Sequence, residues 1–152
     1  MSEIYVIEGS AENWNEALRM TGLELYKHDC VTADFWEKCA EREKEFPTGL
    51  TDFCPVAIPH ASKEYVKRQA ICALKLDQPV KFRSMADWDQ DIDVRYVLNL
   101  ALLDDSEHIK IVTRVIRSLK DPSFLEKMDD CSLEELKVLL DDHFLKPQED
   151  EE

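Results

Sequence analysis

The stretch "DVRYVLNLALLDDSEHIKIVTRVIRSL", residues 93–119, joins the most apolar run of the chain to an amphipathic one. Within residues 93–103, Val94, Val97, Leu98, Leu100, Leu102 and Leu103 leave little room for a wetted face. Such a run reads as a central strand covered on both sides. Past two aspartates, Ile109, Val112, Ile116 and Leu119 recur at helical spacing behind Ser106, a residue suited to an N-cap. A doubly covered strand feeding a helix calls for helices packed on a sheet.

The same grammar extends outward. "SEIYVIE", residues 2–8, reads as a short strand or extended arm, and Trp14, Leu18 and Leu25 mark a helix over residues 12–27. Thr32 is a plausible cap for a second helix that ends before Pro47 and Gly49, with Phe35, Cys39 and Phe46 on its stripe. Residues 56–59, "VAIP", form a short buried strand ended by Pro59, and "SKEYVKR" suggests a short helix. "QAICALKL" and "VKFR" read as two strands joined through Asp77-Gln78-Pro79. After the helix at Ser106, one more opens at Ser132 with a capping box to Glu135, burying Leu133, Leu136, Leu140 and Phe144. The expected fold is α/β, as a sandwich of the α+β type: a mixed β-sheet flanked by helices on both faces.

Length and composition bound the function. The 152 residues suit one domain, here residues 1–147, with residues 148–152, "QEDEE", as an acidic disordered tail. A net charge of -14 argues against nucleic acid and anionic membranes, which need a basic footprint. The N-terminus has acidic residues where a signal peptide carries basic ones, and no apolar window reaches membrane-spanning length. Five widely spaced cysteines without a C-x-x-C read as reduced thiols, so the expected location is cytoplasmic.

Three residues carry candidate chemistry. His60 follows the strand at its exit, where rigid scaffolds often present functional groups. Arg42 stands seven residues after Phe35 on the apolar line of its helix. A guanidinium there pairs, faces an anion-holding cavity, or snorkels past the helix end. His108 falls in the first turn of the helix after the long strand, where free amides and the dipole suit an anion and keep an imidazole neutral. A nucleophile, a planar clamp and a second imidazole together suit phosphoryl transfer.

Other groups have plainer readings. His28 reads as a turn residue and His143 as a helix C-terminal one, while Trp14 and Trp36 read as packing. "DWDQDID", residues 87–93, lacks the glycine and terminal glutamate of a calcium loop and reads as a solvated acidic segment, so neither metal nor cofactor is expected. A Cys54–His60 pair lacks an activating cation beside the thiol.

"EREKEFPTGL", then "VAIPH", then an apolar strand leading to "DDSEHIKIVTRVIRSL", resembles the fructose/mannitol-type enzyme IIA domain of the bacterial phosphotransferase system. The "EFPTG" form is most similar to galactitol-type members. The resemblance implies that His60 is the phosphorylated histidine, Arg42 the phosphate-binding arginine and His108 the second active-site histidine. It implies a phosphoryl group received from HPr and passed to a cysteine of enzyme IIB, with the membrane enzyme IIC an indirect partner. This chain departs from many members in carrying Cys54-Pro55-Val56 where they have a glycine, and position 108 is not histidine throughout the family. A regulatory interaction domain that senses phosphorylation without sugar transport is the alternative from another class.

Overall fold

The computed structural model describes residues 3–50 and 55–148. Cys54 and residues 149–152, on which the cysteine pair and most of the acidic tail fall, lie outside the described residues. Four strands form one sheet in the order β1 (Glu3–Gly9), β3 (Ala70–Arg83), β4 (Asp91–Ala101) and β2 (Val56–Ala57). The central pair, β3 and β4, is antiparallel, while β1 runs parallel to β3 and β2 parallel to β4. The sheet is therefore mixed, and helices cover both faces.

Strand alternation divides the core in two. Ala70, Cys72, Leu74, Val97 and Ala101 meet α1 (Trp14–Lys27) and α2 (Phe35–Glu45). Ile71, Ala73, Leu98 and Leu100 meet α3 (Asp105–Leu119), α4 (Pro122–Asp130) and α5 (Leu133–Leu140), with Phe144 in the π-helical turn beyond α5. Asn99, fully buried toward the first face, is satisfied by donating to Thr21 Oγ1 at 3.0 Å. No described helix is long and apolar enough to cross a membrane.

Several elements differ from the sequence expectation. The two strands around residues 77–79 are one, β3, with a register shift between Lys75 and Val80 that absorbs the exposed Asp77-Gln78-Pro79. "SKEYVKR" supplies only a 3-10 turn at Lys63–Tyr65. The segment α4 is an additional helix, opened by Asp121, whose carboxylate accepts from the Ser123 N–H, with Pro122 at its start. Asp34, not Thr32, stands at the cap position of α2; its carboxylate accepts from the Thr32 hydroxyl and makes no bond to the helix amides. The capping box of Ser132 and Glu135 is present, although Leu133 is only half-buried.

Candidate functional site

The site begins with how the chain leaves β2. Val56 and Ala57 pair with Tyr96 and Val97, and the Leu100 N–H donates to the Pro59 carbonyl at 2.9 Å. Residues 58–60 thus run on beside β4, and His60, still bridged to Leu100, stands at the sheet's end. The loop before β2 clamps the same segment from the other side. The Ile58 N–H donates to the Thr48 carbonyl at 3.2 Å, and Leu50 N–H to the Val56 carbonyl at 2.9 Å.

This framework sets the chemistry of His60. Its Nδ1 lies 3.1 Å from the Ile58 carbonyl, which can only accept, so Nδ1 carries the hydrogen. Burial, then the charge of Arg42 and the neighbouring His108, pull the imidazole pKa down to about 4, against the opposing Ile58 bond. At neutral pH the ring is therefore uncharged and Nε2 holds a free lone pair.

His108 faces it. The two ring centroids are 4.8 Å apart, with planes at 67°. Burial and the Arg42 charge lower the His108 pKa, and Asp105 opposes them. The helix terminus works differently from the sequence reading. Asp104, not Ser106, is the N-cap of α3, and its carboxylate takes the amides of Ser106 and Glu107. Those two donors are engaged by the chain itself and are not offered to an anion.

Arg42 occupies the last turn of α2 but is exposed, not core-facing. The buried face of α2 runs through Phe35, Cys39, Ala40 and Glu43, drifting off the line that joins Phe35 to Arg42. Phe46, expected inside, is half-exposed at the helix end, where its ring lies 5.1 Å below the Arg42 guanidinium and edge-on to Trp88. Arg42, His60, Ser62, Lys63, Leu102 and His108 line one open depression of about 450 Å³. The structure thus brings the three candidates named from sequence to one depression. His28 and His143 lie elsewhere, holding Glu24 and the Leu139 carbonyl respectively.

Sequence reasoning missed Glu43, a buried carboxylate. Its two oxygens accept from the N–H and the hydroxyl of Thr48, each at 2.8 Å. Its position gave the signal: it stands eight residues after Phe35 and four after Cys39, on the face that is buried. Lys63 was also missed, and its ammonium lies 3.8 Å from Asp105 across the rim.

Comparison with known proteins points in one direction. The family model described as "Phosphoenolpyruvate-dependent sugar phosphotransferase system, EIIA 2" matches residues 2–141. The "PTS system galactitol-specific EIIA component" of Escherichia coli (strain K12) is 28% identical over 130 residues, covering 84% of this chain and 86% of that protein. The crystal structure of IIA mannitol from Escherichia coli superposes with a TM-score of 0.74 at 27% identity, covering 91% of this chain and 95% of that one. A complex of enzyme IIAMTL with phosphorylated enzyme IIBMTL from Escherichia coli contains a chain that superposes with a TM-score of 0.73 at 26% identity, covering 91% and 93%.

Proposed function

The chain belongs to the EIIA 2 family of the phosphoenolpyruvate-dependent sugar phosphotransferase system, and we propose that it is a cytoplasmic phosphocarrier using His60 as its acceptor. The phosphoryl group arrives from phospho-HPr and leaves for a cysteine of an enzyme IIB, which serves a membrane enzyme IIC. The transported compound is a sugar or sugar alcohol of the galactitol kind, a reading supported by the relative of that specificity.

The observation that carries this reading is the hydrogen bond from His60 Nδ1 to the Ile58 carbonyl. It leaves Nε2 as the one free nitrogen, unprotonated at neutral pH and open to the depression. That lone pair attacks phosphorus, the P–N bond to the HPr histidine breaks, and the HPr nitrogen keeps the bonding electrons. In the second step a thiolate of enzyme IIB attacks, and the electron pair returns to Nε2. The Arg42 guanidinium, exposed and stacked on Phe46, clamps the equatorial oxygens through its paired N–H groups. His108 donates to a further oxygen through one ring N–H. A shallow, open site suits two protein partners binding in turn through transient interfaces of under ~1,200 Å².

The test is intact-protein mass after incubation with phosphoenolpyruvate, enzyme I and HPr. Wild type gains one acid-labile phosphoryl group, His60→Ala gains none, and His108→Ala is slowed. A folded wild type that gains none overturns the proposal. A phosphorylated wild type that serves no enzyme IIB is instead a phosphorylation-reading interaction domain.

A further inference from the structure

We propose that Glu43 is a positioning residue for the nucleophile, holding His60 in its reactive tautomer and orientation through Thr48 and Ile58. The inference rests on the reading of His60 as the phosphoryl acceptor.

Glu43 touches neither the depression nor His60. It is 5% exposed, and burial raises its pKa against the pull of Thr48, Arg83 and Arg42. A carboxyl so placed needs partners for both oxygens, and one residue supplies them. Thr48, itself 4% exposed, gives its N–H to Oε2 and its hydroxyl to Oε1. Gripped at backbone and side chain alike, Thr48 has a fixed carbonyl, and that carbonyl receives the Ile58 N–H. Ile58 in turn presents its carbonyl to His60 Nδ1–H. Three successive hydrogen-bonded contacts therefore run from the carboxylate to the ring. Each one fixes the residue that makes the next.

The route matters because the Ile58 carbonyl decides which ring nitrogen is bare. If Thr48 moves, Ile58 loses its N–H acceptor, its carbonyl turns, and the hydrogen is free to migrate to Nε2. The ring then presents an N–H to incoming phosphorus. Neither Arg42 nor His108 can restore that lone pair, since each acts on phosphate oxygens.

Glu43→Met isolates the effect. It keeps a side chain of similar length and removes both acceptors, so the Thr48 N–H and hydroxyl lose their partner together. Imidazole 15N shifts of His60 are recorded beside the initial rate of phosphorylation by phospho-HPr. The expected result is a mixed tautomer population and a rate lowered about 10–100-fold, by analogy with the outer partners that orient metal-binding histidines. Thr48→Val should shift the tautomer in the same direction, and Thr48→Ser, which keeps the hydroxyl, should recover it relative to the valine variant. A merely structural carboxyl would lower the melting temperature and leave the tautomer alone. Wild-type tautomer and rate in folded Glu43→Met, or in folded Thr48→Val where the methionine variant does not fold, overturn the inference. Wild type that takes no phosphoryl group overturns the acceptor reading instead, and the 15N spectrum still decides the role of Glu43.

Discussion

The rings of His60 and His108 meet edge to face, 4.8 Å between centroids, with the Arg42 charge acting on both. Two imidazoles this close to each other and to a guanidinium are favourable only while uncharged. The arrangement keeps both rings ready to meet a phosphate by hydrogen bonding rather than as a preassembled cluster of cations.

Titration of His60 by NMR should accordingly give a midpoint near 4, well below the ordinary 6.5. Arg42→Ala should raise that midpoint, and His108→Ala should raise it less, following the order of their effects. Burial is the larger cause, so neither variant should restore the ordinary value. A wild-type midpoint at 6 or above would contradict the electrostatic account of the site.

Stability should carry the same signature. Below pH 6.5 the unfolded chain protonates this histidine while the folded one does not, so His60 costs stability as pH falls from 6.5 to about 4. Below that the folded ring protonates as well and the penalty levels off. The urea midpoint of wild type should therefore fall relative to that of His60→Gln as pH drops across this window. Parallel curves would show that the ring is not titrating differently in the two states.

For Arg42→Ala the expected loss is ~10²–10³ in the rate of phosphoryl transfer, the value of one preorganised donor to developing charge. Because Arg42 is exposed at a helix end, the melting temperature should barely move. Quench-flow with phospho-HPr measures the first quantity and calorimetry the second. An unchanged rate would remove Arg42 from the mechanism.

Gly49→Ala should destabilise the fold by about 1–3 kcal/mol, as overpacking does. A Cβ at Gly49 would stand 2.6 Å from the Arg83 carbonyl oxygen, which also receives the Gly49 N–H at 3.1 Å. Neither backbone can retreat without opening the loop that holds Thr48. Urea denaturation of the variant gives the cost, and an unchanged midpoint would mean that the loop is looser than its hydrogen bonds imply.

Much of this was legible in the sequence because residue spacing encodes it. The apolar run at residues 93–103 identified the central strand, and the short run ended by Pro59 placed His60 at the sheet's end. The errors arose where two neighbouring residues could fill one role. Asp104 and Ser106 are both capable caps, and only the backbone turn decides that Asp104 takes the amides. Arg42 and Glu43 are consecutive charges near the apolar face of α2. The helical wheel favours Arg42, yet the buried face drifts to Glu43 as the helix leaves the core. The helix α4 escaped notice because Asp121-Pro122 reads as the end of α3 as readily as the start of another helix.

That consecutive pair has a mechanical consequence. Arg42 points outward from the last turn of α2, while Glu43 points inward and grips the loop beneath His60. One helix thus carries the clamp and, one residue on, the brace for the loop beneath the nucleophile, which itself stands at the exit of β2. A shift of α2 would therefore reach both partners of the reaction, Arg42 directly and His60 through Thr48 and Ile58. A cavity-creating change at Phe35, at the far end of α2, would be expected to disturb both in step.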